Sequence, residues 1–532
     1  MKSSFLKYIF VIVVIGLVVY SVYLVYGKKD NNANDYETVK VSKEEEIIDN
    51  IRIPIVKFDT INPILSNNAQ IQNISKLVYE PLLTITEDYK IELCLAKEWS
   101  KVSDAAYVIK LKDNVKWNDG TLFTAKDVQF TIDRLKDSNV KSIYTNNVEN
   151  IIGVEVIDNT TVRINLDREV PFFEYNLIFP IMSYKYYENE DFVATSKNIN
   201  PVGTGKFKVV NDNGNVILKL NENWWNIEEK DCKLNQIKII KYGNMGEVYK
   251  AFKIGNIDII NTDSLDIQNY IGTIGYNLKT YKGRELDYLA FNCNNEELSN
   301  KEIRQAISYA IDKQNIVSAI YWDKYYIANF PLDYGSYLYE DGKVIYEYNI
   351  DKAKSLLIEN GWEFKNKTWQ KTKDYRTLKL SFNLVVNFTS GKRLEVAENI
   401  KNSLEILGIK VNIIKANDVT YKKYLENKNY DMILTGKYTA LSPNLSSYFG
   451  EENLANYNNE TAKQILNDVK NIREEKILKE KYNNLIDIYK EDMPYVYLYW
   501  NRSSLICSSE LMGDIKPNRY NLFYKINTWY RQ

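Results

Sequence analysis

The side chains that could carry out chemistry in this 532-residue chain are limited first by an absence, since the sequence contains no histidine. This excludes Ser-His-Asp and Cys-His nucleophilic machinery and any metal site that needs a histidine ligand. The four cysteines, Cys94, Cys232, Cys293 and Cys507, lie far apart and form neither a Cys-x-x-Cys pair nor a zinc-ligand spacing. We expect free thiols, mostly buried, although a disulfide outside the cell stays an alternative.

The segment Pro201 to Phe207 (PVGTGKF) contains the Gly-Lys pair of a phosphate-binding loop but does not complete that pattern. Asn200 stands where a glycine is required, and Phe207 stands where a Ser or Thr would reach magnesium. We therefore predict a tight turn between two sheet segments. Carboxylates are abundant, but no pair is distinguished by spacing or by apolar surroundings as an acid and base couple. The residue types thus indicate a binding protein rather than an enzyme, with no cofactor and no metal.

Length and charge set the outer limits of the interpretation. A chain of 532 residues exceeds what one hydrophobic core organises, so two or three domains are expected. With 69 basic and 70 acidic residues, the formal net charge is −1. Such a balance gives no broad attraction to nucleic acid, so no nucleic-acid partner is expected.

The N-terminal segment from Phe5 to Tyr26 is apolar over 22 residues and contains a single charge, Lys7. About 20 apolar residues cross a bilayer as a helix, whereas the apolar part of a secretory signal covers about 7 to 15 residues. We therefore predict a retained transmembrane anchor at residues 5–26 and a polar, flexible stalk at residues 27–46. Cleavage of the segment as a signal stays an alternative, and the flanking lysines do not decide the orientation.

Strand and helix patterns are interspersed from Ile47 onward. Residues 106–112, 215–220 and 410–413 alternate between apolar and polar side chains, as strands do. A helical pattern ends at Gly408 and leads directly into the last of these strands, which is typical of α/β proteins.

Two helix starts are well marked. In KWNDGTLFTAKDVQFTIDRLK (residues 116–136), Thr124 is placed as the N-cap and Asp127 completes a capping box. Ser299 and Glu302 have the same spacing ahead of a second helical pattern. We expect both helices to be structural, with one apolar face buried.

A set of motifs in a fixed order resembles the signature of the family 5 extracellular solute-binding proteins. These are the binding components of peptide and nickel ABC importers. The resemblance covers residues 47–532, and its specificity comes from the order of the motifs rather than from any one of them. The motifs are LVYEPLLTITEDYKIELCLAKEWS (77–100), YVIKLKDNVKWNDGTLFTAKDVQFTIDRLK (107–136), PVGTG (201–205), LAFNCNNEELSNKEIRQAISYAIDKQNIV (289–317), YNIDKAKSLLIENGW (348–362), YDMILTGKYTALSP (430–443) and MPYVYLYW (493–500).

The resemblance implies an α/β, two-lobed periplasmic-binding-protein-like fold (type II, cluster C) with an extra subdomain. Two crossing strands would join the lobes, which would close by hinge motion on a ligand between them. The implied domains are lobe I at residues 47–86, 200–285 and 492–532, the extra subdomain at 87–199, and lobe II at 286–491.

The resemblance also implies the residues that contact the ligand. In oligopeptide-binding relatives an extended peptide is held through main-chain hydrogen bonds, as in strand addition, while roomy pockets accept varied side chains. Matching by position gives three segments, and an ordinary loop or core role stays an alternative for every member. The candidate residues are Asn67, Asn68, Ala69, Gly436, Lys437, Tyr438, Ala440, Tyr497 and Tyr499.

One departure from the family pattern concerns ligand recognition. Peptide binders of the family commonly read Gly-Trp-x-x-Asp-Tyr-x-Asp-Pro where this chain has GKYTALSP at residues 436–443. Ala440 matches the aspartate expected to hold a peptide's ammonium group. The resemblance therefore predicts that peptides with a free amine bind weakly or are held in a shifted register by another carboxylate.

The leading hypothesis is an extracytoplasmic substrate-binding component of an ABC importer, which delivers an oligopeptide or similar solute to the permease and its ATPase subunits. We expect a monomer anchored in the cell membrane by its single N-terminal helix, with the large domain outside. The alternative is a membrane-anchored surface receptor or signalling protein that has the same binding fold and no transport role.

Overall fold

The larger of the two compact units of the chain covers residues 47–532. Among the residues that the structure describes, no helix is both long and apolar enough to cross a bilayer. The predicted anchor (5–26) and stalk (27–46) lie outside the described residues. The computed structural model describes residues 49–212, 214–272, 275–333, 335–339 and 346–532.

The predicted mixed α/β class is confirmed by strands and helices that are interspersed along the whole folded unit. Within the described ranges, the strands are β1 (Asn50–Val56), β2 (Leu83–Ile85), β3 (Ile91–Leu93), β4 (Ala96–Ser103), β5 (Ala106–Leu111), β6 (Ile151–Asp158), β7 (Thr161–Leu166), β8 (Phe207–Asp212), β9 (Asn215–Leu220), β10 (Gln236–Tyr242), β11 (Ile259–Thr262), β12 (Tyr276–Phe291), β13 (Tyr326–Ile327), β14 (Glu363–Lys365), β15 (Thr368–Lys373), β16 (Arg376–Lys379), β17 (Ser381–Asn387), β18 (Lys410–Ala416), β19 (Met432–Tyr438), β20 (Tyr495–Ser508), β21 (Leu511–Met512) and β22 (Tyr530–Arg531).

The α-helices alternate with the strands along the chain, and the helix predicted to end at Gly408 does so. In the same described ranges they are α1 (Ala69–Ser75), α2 (Ala125–Lys136), α3 (Tyr184–Tyr187), α4 (Met245–Lys253), α5 (Ile267–Ile271), α6 (Lys301–Ala310), α7 (Lys313–Tyr321), α8 (Ile350–Glu359), α9 (Arg393–Leu407), α10 (Asp418–Asn427), α11 (Ser446–Phe449), α12 (Glu460–Asp468) and α13 (Glu475–Asp492).

The largest sheet of the described chain has the strand order β11-β20-β12-β19-β17-β18, and β13 pairs with β20 at its side. The parallel pairs β17–β18 and β17–β19 are followed by helices that return the chain across the sheet, which is the α/β arrangement. Two four-stranded sheets, β1-β10-β9-β8 and β4-β5-β7-β6, lie elsewhere in the folded unit.

Two large groups of buried apolar side chains are joined by the long antiparallel pair of β12 and β20. We call them the first cluster, which draws on residues 51–259 and 505–529, and the second cluster, which draws mainly on residues 286–500. Along β12 the second cluster begins at Leu286, and along β20 it ends at Trp500. The chain therefore passes between the clusters twice along one strand pair, while the lobe boundaries given above stay a prediction.

The pairing of β12 with β20 is interrupted between the clusters. Lys282 pairs with Arg502 and Leu286 pairs with Trp500, so residues 283–285 form a bulge opposite one residue, Asn501. Glu285 N donates to Asn501 Oδ1 at 3.0 Å, and a Cβ at Gly283 would lie 1.9 Å from that oxygen. Since bulges redirect side chains out of the regular ladder, this one determines where residues 284 and 285 point.

The two predicted helix starts have different outcomes. The capping box of Thr124 with Asp127 is confirmed, with both halves present at the start of α2. The assignment of Ser299 as a cap is wrong, because Asn300 caps α6 by accepting from the N–H groups of Glu302 and Ile303. Ser299 instead donates through Oγ to Glu296 O, since the chain still turns at that residue.

The segment from Pro201 to Phe207 leads into β8, and its backbone packs closely against the backbone of Val78. Gly205 N donates to Val78 O at 2.8 Å, and a Cβ at Gly203 would lie 2.0 Å from the same oxygen. The close packing of two backbone segments therefore explains the glycines.

All four cysteines are free, as predicted. Cys507 is buried and the other three are partly buried.

Candidate functional site

A small cavity lies where three distant parts of the chain meet. Its volume is about 20 Å³, which gives room for about one or two water molecules. A solute of larger size enters only if the walls move apart. The described residues of its wall are Tyr89, Tyr175, Pro331, Leu332, Asp333, Ser336, Tyr337, Thr439, Ala440, Leu441, Ser442, Pro443, Trp500 and Arg519.

The cavity contains a buried carboxylate, Asp333, that faces two cations. Lys282 Nζ lies 2.6 Å from Asp333 Oδ1, and Arg519 Nη1 lies 3.6 Å from Oδ2. Tyr89 Oη donates to Oδ2 at 3.3 Å. The side chains of Asp333 and Arg519 are only 7% and 4% exposed, so water screens their interaction weakly.

Two guanidinium groups converge on the loop that follows β19. Arg284 Nη2 donates to Thr439 O at 3.2 Å, and Arg519 Nη2 lies 3.4 Å from the same oxygen. Arg519 Nη2 also donates to Thr439 Oγ1. The guanidinium carbon of Arg519 lies 5.4 Å from the ring centres of both Tyr89 and Trp500, which hold it by cation–π contact.

Lys76 adds a further cation to this side of the site. Its Nζ donates to Tyr520 O and lies 3.9 Å from the centre of the Tyr520 ring. Burial lowers the pKa of Lys76 to about 7, and the charge of Arg284 acts in the same direction. Burial and then the charge of Arg519 lower the pKa of Arg284. Burial and, to a smaller extent, neighbouring positive charge therefore disfavour the charged forms of Lys76 and Arg284.

A second charged group lies under β19 in the second cluster. Arg393 contacts Asp287 through two hydrogen bonds, from Nε to Oδ2 at 2.8 Å and from Nη2 to Oδ1 at 2.7 Å. Arg393 Nη2 also lies 2.6 Å from Glu285 Oε1, and Tyr499 Oη donates to Asp287 Oδ2 at 3.0 Å. Burial lowers the pKa of Arg393, but its hydrogen bonds to Asp287 and the two negative charges outweigh this and leave the pKa raised.

The ion pair of Arg393 and Asp287 accounts for the roles of two residues that the family resemblance places at the ligand. Gly436 pairs with Asp287 across β19 and β12, and its missing side chain leaves the room that Asp287 and Arg393 occupy. Tyr499 is 2% exposed and donates to Asp287 Oδ2, which also accepts from Arg393 Nε. In this structure both residues contact the buried ion pair and neither lines the cavity.

Lys437 and Tyr497 belong to an aromatic group next to the ion pair. Lys437 Nζ lies 4.1 Å from the ring centre of Tyr448 and donates to Ser447 Oγ at 2.6 Å. Burial lowers the pKa of Lys437 to about 8. Tyr497 is 1% exposed, packs 5.7 Å from Tyr448 between ring centres, and its hydroxyl has no hydrogen-bond partner among the described residues.

The remaining candidates lie in three different places. Asn68 caps α1 by accepting from Gln70 N at 2.9 Å and donates to Val56 O at 2.8 Å, so its polar groups are used within the first cluster. Asn67 and Ala69 on either side are exposed, and none of the three lines the cavity. Tyr438 is 69% exposed at the end of β19. Of the nine candidates, only Ala440 lines the cavity.

The charged residues of the cavity were not found from the sequence. Asp333 and Arg519 lie in irregular segments far apart in the chain, and no periodicity or motif marks either of them. Arg284 lies in the bulge of β12, which an alternating strand pattern does not reveal. Within the described residues, no cluster of three or more Cys, Asp or Glu side chains is arranged to hold a metal ion.

A known protein family matches most of the chain. The family model described as bacterial extracellular solute-binding proteins, family 5 Middle, matches residues 90–460. The chain belongs to the family 5 extracellular solute-binding proteins. The resemblance drawn from the ordered motifs is thereby confirmed.

Curated and solved relatives of this family 5 protein span nearly its whole folded part. The oligopeptide-binding protein AppA of Bacillus subtilis is 24% identical over 487 residues, which cover 88% of this chain and 89% of AppA. Heme-binding protein A of Haemophilus influenzae is 25% identical over 491 residues, with 85% and 87% covered. The structure of HbpA2 from Haemophilus parasuis superposes with a TM-score of 0.77 at 21% identity, covering 91% of this chain and all (100%) of that one.

Proposed function

We propose that this family 5 protein captures an oligopeptide or similar solute between two closing lobes and delivers it to an ABC permease. The observation that carries the proposal is the composition of the cavity wall. Tyr89 belongs to the proposed extra subdomain, Asp333 and Thr439 to lobe II, and Arg519 to lobe I. A site built from all three regions exists only when they are brought together, as in a protein that closes around its solute.

The strand pair β12–β20 supplies the proposed hinge. The two clusters are connected by this antiparallel strand pair in the proposal, so both connections are short. The bulge at residues 283–285 interrupts the hydrogen-bond ladder between β12 and β20. A break in pairing is where a strand pair bends most easily. The cavity of about 20 Å³ corresponds to a closed arrangement in this proposal, and opening exposes Asp333 and Arg519 to solute.

Binding is tested by mass spectrometry of the small molecules that co-purify with the protein and by calorimetry with mixtures of short peptides. Ala440→Trp places a bulky ring at the cavity wall and should abolish uptake of the co-purifying solute. Val419→Trp is the matched control, since Val419 is 68% exposed and lies outside the cavity wall. Equal solute content in both variants would contradict the location of the site.

Closure is tested by small-angle X-ray scattering with and without saturating solute. We expect the radius of gyration to fall on binding. An unchanged radius at saturation would contradict hinge closure. A gene neighbourhood without a permease and ATPase gene pair would contradict delivery to an importer and favour a surface receptor with no transport role.

We further propose that residues 5–26 are a retained membrane anchor and that the large domain faces the extracellular side. The basis is the apolar span of 22 residues, and a binding protein that serves an importer must meet its solute outside the cell. Detection of a mature chain that begins after Gly27 would contradict the retained anchor. Protection of the large domain from added protease in whole cells would contradict its orientation.

A further inference from the structure

The charges around the cavity are unequal in sign. Asp333 is the carboxylate in the described part of the cavity wall, and Lys282 and Arg519 both contact it. Arg284 lies close to Arg519, since both contact Thr439 O. Lys76 lies near Arg284, whose positive charge helps to lower the pKa of Lys76. Among the described residues neither Arg284 nor Lys76 forms an ion pair with a carboxylate, so the group has more positive than negative charge.

The two arginines also have unused donors. The Nε atoms of Arg284 and Arg519 are buried and lack a hydrogen-bond partner among the described residues. A buried donor without a partner is costly, and a guanidinium group offers five donors in a fixed fork. The guanidinium of Arg519 contacts the rings of Tyr89 and Trp500. Its Nη1 and Nη2 atoms contact Asp333 and Thr439, so Nε is the donor that is left without a partner. These two side chains are therefore incompletely satisfied.

Both arginines contact Thr439, which is the residue before Ala440. Ala440 matches, by family resemblance, the position of an aspartate that would hold an ammonium group. The charge next to that position is here reversed. A positive end of a solute would meet Arg519 and Arg284 there, whereas a negative end would complete their hydrogen bonds.

We propose that Arg284 and Arg519 form a subsite for a carboxylate group of the solute beside Ala440. Planar carboxylates suit a guanidinium because two parallel N–H···O bonds form at once, and hydrogen bonds between charged groups are shorter and stronger than neutral ones. The inference rests on the proposed function, since it names the chemical class of solute for that same cavity.

The test is calorimetry of the full-length protein in detergent with matched peptide ligands. Random mixtures of acetylated tetrapeptides to hexapeptides are used in two forms, with a free C-terminal carboxylate and with a C-terminal amide. Succinate and its diamide, succinamide, are titrated separately, because they present the same chemistry without a peptide. We expect each carboxylate form to bind at least about tenfold more tightly than its amide.

The variants Arg284→Gln and Arg519→Gln should each reduce this preference about tenfold or more. Arg519→Lys keeps the charge and should keep part of the preference, which separates loss of the subsite from loss of the fold. Arg376→Gln is the matched control, because Arg376 is exposed on β16 and lies outside the cavity wall. Thermal unfolding of each variant shows whether it is folded at the temperature of the titration.

The outcomes separate this inference from the proposed function. Peptides that bind equally well as carboxylates and amides would overturn the carboxylate subsite and leave peptide capture standing. Arginine-dependent binding of succinate without binding of any peptide would support the subsite and overturn peptide capture. A preference for carboxylate that survives in both folded glutamine variants would overturn the assignment to Arg284 and Arg519. Binding of neither peptides nor succinate would overturn both proposals.

Discussion

Gly436 and Asp287 face each other across β19 and β12 so closely that a Cβ at Gly436 would lie 1.9 Å from Asp287 Oδ1. The same Cβ would lie 2.2 Å from Arg393 Nη2. The missing side chain of Gly436 therefore leaves room for the ion pair of Asp287 and Arg393, although the family resemblance placed Gly436 at the ligand. Backbone strain is not the reason for this glycine, because its φ is not positive.

Gly436→Ala should lower the free energy of unfolding by about 3 kcal/mol, since the methyl group forces Arg393 and Asp287 apart and breaking a buried pair costs this much or more. Urea denaturation gives the value. Gly153→Ala on β6 is the matched control, because a Cβ there meets no atom within 4 Å. Its effect should stay within about 0.5 kcal/mol. Equal effects of the two substitutions would show that Gly436 is not required by the ion pair.

Arg393→Met should destabilise the protein by about 3 to 5 kcal/mol, because Asp287 would then be a buried carboxylate without a counter-charge. The partly exposed Glu285 would lose the same partner. Adding Asp287→Asn to this variant should recover part of the loss, since one of the two charges is removed. Denaturation of the single and double variants measures the coupling. If the two substitutions had additive effects on the free energy of unfolding, a direct interaction between Arg393 and Asp287 would be contradicted.

Glu80 should make the protein less stable as the pH rises. Burial raises the pKa of its carboxyl to about 7 from 4.5, although the indole N–H groups of Trp225 and Trp224 donate to it at 2.7 and 3.0 Å and act against this. Between these two values the folded chain binds more protons than the unfolded chain. The stability that comes from the neutral carboxyl is therefore fully present below about pH 4.5 and is lost as the pH rises toward 7.

The measurement compares the unfolding free energy of the protein with that of Glu80→Gln between pH 4.5 and 8. The difference between them should change by at most about 1.4 kcal/mol per pH unit, in the direction that favours the variant at high pH. Glu98→Gln is the control, since the Glu98 side chain is 59% exposed. A difference that is flat across this range would show that Glu80 is not neutral in the folded protein.

Ala440→Asp should reverse the selectivity of the cavity. The new carboxylate would lie beside Arg519 and compete with a negative group of the solute, and it would give an ammonium group a counter-charge. We expect free-amine peptides to gain affinity relative to their acetylated forms, which calorimetry on matched pairs measures. If the unmodified protein already prefers the free amine by about tenfold, or about 1.4 kcal/mol, the interpretation of this loop is wrong.

Elements whose signals are local were predictable from the sequence. The Thr124–Asp127 capping box, the strand that contains Tyr107, and the helix stop at Gly408 follow from contacts within a few residues, and all three are present. The misplaced cap at Ser299 shows the limit of this reasoning. Ser299 and Asn300 are both good caps, and the path of the preceding turn decides which of them begins the helix.

The sequence by itself determined the class of protein. The order of the motifs established the family, and the absence of histidine excluded the common nucleophilic triads. These conclusions depend on residue identity and order along the chain, which are fully contained in the sequence.

Only the tertiary structure decided which charges meet. Arg284, Asp333 and Arg519 come together through a bulge in β12 and two irregular segments, and Arg393 reaches Asp287 from another part of the second cluster. Electrostatic energy depends on distances through space and on burial. Local sequence patterns determine neither distances through space nor burial, so the excess of positive charge around the cavity follows only from the folded structure.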